Sequence, residues 1–242
     1  MLKSRSENER AGVTNVISTC RVYVVGVGPG DPEYLTMKAK SVIQASDIVV
    51  GFEPSLRTVD ELVKGKMVLT LTLENENQVL AGLAKKVRSG KVCSVTCTGD
   101  PDFVDIDSEF IESVRKFLGE VEIIPGISSI QVAASKLRLP LDKTKIMAFF
   151  VTDDMLEQKK SCLLDIVRKG CRVLVLPRPW GCTPSDISEY LLAHKIEPET
   201  PVTIFENLTL KDERAFVGNL KAVVGKSFSD KVIMVIGVFP SA

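Results

Sequence analysis

Val22–Thr36 reads VYVVGVGPGDPEYLT, and the order of its parts decides the fold. A strand predicted over Val22–Val27 breaks into Gly26-Val-Gly-Pro-Gly-Asp31 and leads to a helix predicted over Thr36–Ala45, with Thr36 as its cap. A strand passing through a glycine loop into a helix opens a parallel α/β unit, and phosphate-binding loops are built the same way. The dinucleotide version fails on two residues. Gly26 and Gly28 match the fingerprint G-x-G-x-x-G, but Asp31 stands where the third glycine belongs, and Pro29 lacks an N–H that a pyrophosphate cradle would use. No Gly-Lys-Ser/Thr follows, which excludes a P-loop. The loop therefore reads either as one that approaches the carbon framework of a ligand or as a tight turn that needs glycine for positive φ.

Outward from this stretch, short apolar runs alternate with helical periods. Strands are predicted at Asp47–Gly51, Met67–Leu71, Val92–Cys97 and Val121–Ile124, and helices at Pro54–Val63, Glu76–Ser89, Ser108–Leu118 and Ser128–Leu137. The segment RLPLDKTK, Arg138–Lys145, is charged, holds Pro140 and reads as a linker. Beyond it, strands at Ile146–Val151, Arg172–Leu176 and Pro201–Phe205 interleave with helices at Leu156–Arg168 and Pro184–Ala193. Two further strands, in Glu213–Leu220 and Lys231–Phe239, have no long crossover between them. That pattern predicts an α/β protein of two α/β domains: residues 21–138 with a mostly parallel sheet and 139–242 with a mixed one. Residues 1–20 are polar and charged, without the apolar core of a leader peptide, and read as a disordered extension.

Lys plus Arg and Asp plus Glu both number 31, so no global basic field exists to hold a nucleic acid, and no run approaches membrane length. The six cysteines, Cys20, Cys93, Cys97, Cys162, Cys171 and Cys182, include no C-x-x-C, and His194 is the single histidine. They read as packed, reduced thiols in a cytoplasmic protein without zinc.

In an open parallel sheet, ligands bind beyond the carboxyl ends of the strands. Three breaks fall there: Gly26–Asp31, Thr98-Gly-Asp-Pro101 and Pro125-Gly-Ile-Ser-Ser129. Asp100 in the second either caps a helix, accepts from a ligand's hydroxyl or ammonium, or joins Asp102, Asp105 and Asp107 in an acidic cluster of the kind that binds a divalent cation. Because Asp is common at helix starts simply as a cap, the reading is of no metal. Ser128 and Ser129 in the third break either cap the helix or hold a ligand carboxylate.

Taken in order, GVGPGDPEYLT, TGDPDF, IIPGISSIQVAASKLRLP, VLPRPWGCTPSDI and TPVTIFENLTLKDERAFVGNL resemble the S-adenosylmethionine-dependent tetrapyrrole methylases from Arg21 onward. Within that family, PGISSIQVAASKLRLP and Glu206-Asn-Leu208 with KDER behind it are most similar to the cobalt-precorrin-7 C5-methyltransferases of cobalamin biosynthesis. The resemblance implies S-adenosylmethionine folded into a cleft between the domains. Gly99, Asp100 and Phe103, with Ser128 and Ser129 alongside, would lie near its methionine end, Leu176, Leu208 and the backbone around Lys231 and Val232 would line its adenosine side, and Pro29 would also contact it. It also implies a tetrapyrrole facing Gly28, Pro29, Gly30 and Asp31, and a homodimer. Asp31 and Asp100 are the candidate catalytic residues, by alignment rather than as a general base.

Two segments depart from the family pattern: Asp102 with FVDID after Gly-Asp-Pro, and AFFVTDD, Ala148–Asp154, where a basic Gly-Arg segment is common. Both add negative charge near a carboxylated substrate, for which Arg178 and Arg138 are the candidate compensating cations. Related branches that methylate RNA or a translation-factor histidine, and a non-catalytic tetrapyrrole-binding descendant, are the alternatives; neutral charge and 6% aromatics argue against RNA. The chain given ends at Ala242, directly after the last strand, so the expectation is one methyl transfer, with C15 methylation and decarboxylation left to a separate protein.

Overall fold

The computed structural model describes residues 21–104 and 109–237. Two five-stranded sheets organise them. The first is built from β1 (Val22–Gly26), α1 (Met37–Ala45), β2 (Ile48–Phe52), α2 (Glu53–Thr58), β3 (Met67–Leu71), α3 (Glu76–Arg88), β4 (Cys93–Cys97), α4 (Pro101–Val104), α5 (Glu109–Leu118) and β5 (Glu122–Ile124). Its order is β3-β2-β4-β1-β5 and every pairing is parallel. Alternating side chains serve opposite faces. Val22 and Val24 pack with α3 and α5 through Leu80, Leu83, Ile111 and Val114, whereas Val25 and Val27 pack with α1 and α2 through Ala39, Ile43 and Leu56. A central strand buried on both faces reads as the continuous apolar run seen at its start.

After α6 (Ser129–Lys136) come β6 (Lys145–Ala148), α7 (Asp153–Arg168), β7 (Val173–Leu176), α8 (Pro184–Ala193), β8 (Pro201–Glu206), β9 (Arg214–Asn219), α9 (Leu220–Val223) and β10 (Val232–Ile236). The second sheet is ordered β6-β7-β10-β8-β9. Only β6 and β7 are parallel, so the sheet is mixed, as the absence of a long crossover near the C-terminus predicts. Val173, Val175, Met234 and Ile236 face α7, α8 and α9. Leu174, Ile233 and Val235 face the other way and are covered by Ile130, Ala133 and Ala134 of α6, a helix that follows the last strand of the first sheet. Tyr34, Phe103 and Ile127, from the loops of the first sheet, pack in the same cluster.

Several predicted boundaries move. The helix expected over Pro54–Val63 is α2 followed by a separate 3₁₀ turn, Asp60–Leu62; Val59, at φ −116° and fully packed in the core, turns the chain between them. The strand expected over Ile146–Val151 ends at Ala148, because the Val151 amide folds back onto the Phe149 carbonyl and α7 starts at Asp153 rather than Leu156. α4 and α9, four residues each, were not expected; each is too short to carry a helical period. Among the cysteines, Cys93, Cys97 and Cys182 are buried and outside any disulfide and Cys171 is partly buried, but Cys162 is exposed on α7, against the expectation that all are packed. Residues 1–20 with Cys20, Asp105, Asp107, Ser108 and the last residues of the final predicted strand lie outside the described residues.

Candidate active site

β4, β1 and β5 are neighbours in the first sheet, so the loops at their carboxyl ends emerge side by side. Glycine is what lets them meet. A Cβ on Gly126 would sit 2.1 Å from the Gly99 carbonyl oxygen, and one on Gly26 would sit 2.6 Å from the Gly126 nitrogen. Gly28 and Gly99 exchange backbone hydrogen bonds, at 2.7 and 3.3 Å. The glycines that half-match a dinucleotide fingerprint thus serve loop-to-loop contact.

These loops form one wall of a cleft of about 370 Å³, with Pro29, Thr98, Gly99, Asp100, Phe103, Ser128 and Ser129, beside Pro54 from α2. The opposite wall comes from the second sheet: Phe150, Leu176, Pro177, Asn207, Leu208, Asp230, Lys231, Val232 and Ile233. All ten residues that the resemblance assigns to the cofactor lie along this cleft.

Their local chemistry differs. Asp100 Oδ1 accepts from the Asp102 amide at 3.2 Å and so caps α4. Asp102, though exposed, is raised from its ordinary value, first by desolvation and then by the charge of Asp100. Ser128 is committed to a capping box: its hydroxyl accepts from Ile130 N, and its own amide donates to Gln131 Oε1 at 2.7 Å. Ser129 opens α6 at the cleft wall, where the helix dipole favours a negative group. Across the cleft, the Asn207 amide donates to the Lys231 carbonyl at 2.9 Å and pins the end of β8 to the start of β10.

The Gly26–Asp31 loop is placed differently from the others. Pro29 lines the cleft, but the Asp31 amide donates to Thr209 Oγ1 at 3.2 Å and its carboxylate accepts from Glu33 N. Gly30, at φ +147°, lies against Leu210, whose Cδ2 would be 2.5 Å from any added Cβ. The loop therefore docks onto the segment after β8.

Neither proposed compensating cation is turned to the cleft. Arg178 is buried and paired with Asp153, and Arg138 is exposed just after α6 and outside the cleft lining. Sequence reasoning missed Pro54, Thr98, Phe150, Pro177, Asn207, Asp230 and Ile233. Thr98 and Asn207 carried a signal, since each sits directly beyond a strand end next to a residue already singled out; Pro54 and Asp230 carried none. Among the described residues, no group of three or more His, Cys, Asp or Glu side chains is arranged to hold a metal ion, and no helix is long and apolar enough to cross a membrane.

A family model described as Tetrapyrrole (Corrin/Porphyrin) Methylases matches residues 21–224. The chain is a tetrapyrrole methylase. Members of this family are methyltransferases that use S-adenosylmethionine. Relatives include a "Probable cobalt-precorrin-7 C(5)-methyltransferase" of Methanocaldococcus jannaschii, 30% identical over 86% of this chain and 93% of that one. A cobalt-precorrin-4 C(11)-methyltransferase of the same organism is 26% identical over 85% and 81%. Among solved structures, a cobalt precorrin-4 methyltransferase superposes with a TM-score of 0.71 at 21% identity, covering 89% of this chain and 94% of that one. A uroporphyrin-III C-methyltransferase from Thermus thermophilus, complexed with S-adenosylhomocysteine, gives 0.65 at 21% identity over 90% and 92%.

The cleft of this methylase fits the family's cofactor by its own chemistry. Leu176, Leu208, Val232 and Ile233 offer an apolar surface to an adenosine, while Asp100 and the start of α6 offer a carboxylate and a helix N-terminus to the two charges of a methionine end. Gly99, at φ +77°, leaves open room at the cleft wall, since even an added Cβ there would have no neighbour closer than Ser128 Cα at 4.0 Å.

Proposed function

We propose that this chain transfers one methyl group from S-adenosylmethionine to C5 of cobalt-precorrin-7 or the metal-free precorrin, in cobalamin biosynthesis. The observation that carries the substrate assignment is the relative of that name, 30% identical over 93% of its own length, against 26% for the C11-methylating relative.

When bound, S-adenosylmethionine supplies a methyl group already activated by its sulfonium centre. The protein's task is then to align the reactants and exclude water. In this reading Asp100 accepts from the cofactor's ammonium, the N-terminus of α6 receives its carboxylate, and Leu176, Leu208, Lys231 and Val232 flank the adenosine. Gly99, Phe103, Ser128, Ser129 and Pro29 complete its surroundings. Gly28, Gly30 and Asp31 serve the tetrapyrrole indirectly, by fixing the loop that presents Pro29. No side chain is assigned as a general base. The division into domains at 138/139 belongs to the same reading, with α6, on the first side of that boundary, packed against the second sheet.

The test is mass spectrometry of product from a panel containing uroporphyrinogen III, cobalt-precorrin-4 and cobalt-precorrin-7. The expected result is one added methyl on cobalt-precorrin-7 alone, without loss of carbon dioxide. Preferential turnover of either other substrate would move the assignment to that reaction. We further propose a homodimer, with a separate C15-methyltransferase and decarboxylase acting afterwards in the cytoplasm. Light scattering should give twice the chain mass at micromolar concentration, and a monomer mass would remove the homodimer.

A further inference from the structure

The loops after β6 and β7 carry two aromatic side chains that the core does not use. Phe149 is fully buried, but its neighbour Phe150 is 46% exposed and lines the cleft. Trp180, 62% exposed, meets Phe150 edge to face, with ring centroids 6.5 Å apart and planes at 83°. Both loops are held by Arg178, whose side chain is almost wholly buried. Its Nη1 donates to the Val151 carbonyl at 2.9 Å and its Nη2 to Asp153 Oδ1 at 2.5 Å, so one cation ties the Phe150 loop to the Trp180 loop. The same guanidinium lies 5.9 Å from the Trp180 ring centroid, and Gly181, at φ +64°, closes the turn that ends in the Arg178–Cys182 bridge. The negative charge that AFFVTDD brings at Asp153 is thereby paired with Arg178 at the surface, where the Asp153 side chain is exposed.

A rigidly supported pair of aromatic rings left in water marks a binding surface. Its position at the cleft selects the occupant. The surface proposed for the adenosine is aliphatic; Phe150 lines the cleft and Trp180 stands outside that lining against Phe150, so the pair leads from the cleft towards solvent, where the second reactant must enter. That reactant is a tetrapyrrole macrocycle with partly conjugated faces, and π faces complement one another in offset or edge-to-face contact.

We propose that Phe150 and Trp180 form an aromatic wall that stacks against the tetrapyrrole and sets its orientation, with Arg178 as the positioning residue that fixes the angle between them. The proposal rests on the tetrapyrrole reading given above. It also accounts for a chain that keeps no basic residue in this segment: recognition here is by the face of the ring rather than by its carboxylates.

Trp180→Ala, Trp180→Phe and Phe150→Leu are titrated separately with S-adenosylmethionine by calorimetry and with uroporphyrin III and cobalt-precorrin-7 by the shift of the macrocycle's absorption band. Trp180→Ala should weaken macrocycle binding roughly tenfold or more. Its S-adenosylmethionine affinity should stay within about twofold, which also reports a folded cleft. Trp180→Phe should restore most of the loss, and Phe150→Leu should raise KM more than it lowers kcat. Macrocycle affinity unchanged in Trp180→Ala, or an equal loss for S-adenosylmethionine, would overturn the wall even if cobalt-precorrin-7 is methylated normally. Trp180-dependent binding of a macrocycle without C5 methylation would sustain the wall and overturn the C5 assignment. Failure of the wild-type protein to bind either macrocycle would overturn both.

Discussion

Asp100 illustrates how one carboxylate serves both the fold and a ligand. One oxygen caps α4, and the side chain stands at a cleft wall opposite apolar residues. If it also accepts from the cofactor's ammonium, Asp100→Ala weakens S-adenosylmethionine binding by about 1–3 kcal/mol, measured by calorimetry. An unchanged affinity would reduce Asp100 to its capping role. Asp31 was equally conspicuous in the sequence, yet its carboxylate caps a 3₁₀ turn and its amide reaches Thr209. The sequence could not separate the two aspartates, because each follows a glycine at a strand end and only the docking of the segment after β8 distinguishes them. Arg178 was legible as a cation but not as a buried one. Its partner Asp153 lies 25 residues earlier, and no local pattern announces the pair.

At the scale of elements, the strand-loop-helix units were legible because each carries its own signal. Thr36 caps α1 through Ala39 N, Thr183 and Asp186 form a capping box on α8, and the buried strands are continuous apolar runs. What was not legible is the glycine contact between loops, since Gly26, Gly99 and Gly126 are far apart in sequence and meet only through the strand order β4-β1-β5. That contact is testable by adding one methyl group. Gly126→Ala puts a Cβ 2.1 Å from the Gly99 carbonyl oxygen and should cost about 1–3 kcal/mol or more in urea unfolding, with weakened cofactor binding. Gly82→Ala, on an exposed part of α3 with nothing within 4 Å, should instead stabilise by about 0.5–1 kcal/mol. Equal effects at the two positions would mean that the loops accommodate the methyl by moving apart.

Over the whole molecule, the buried thiols link stability to pH. Burial pushes Cys93 up to about 12 and Cys182 up to about 11, whereas an unfolded cysteine titrates near ~8.5. Both folded values are raised, so the stabilisation is fully present below pH ~8.5 and declines as pH rises towards 11 and then 12, because the unfolded chain ionises first. Urea midpoints should therefore fall above pH ~9, and the slope should flatten in a Cys93→Ala, Cys182→Ala protein. An unchanged slope would assign the alkaline loss to other groups. Alkylation of the native protein should reach exposed Cys162 well before Cys93, Cys97 or Cys182.

The central claim concerns where the methyl group goes, and one measurement reads it directly: the carbon NMR spectrum of product formed from cobalt-precorrin-7 with S-adenosylmethionine labelled in its methyl carbon. The account predicts a single enriched methyl attached at C5 and an intact complement of carboxylates. Label at any other ring carbon, a second enriched methyl, or loss of a carboxylate as carbon dioxide would contradict it.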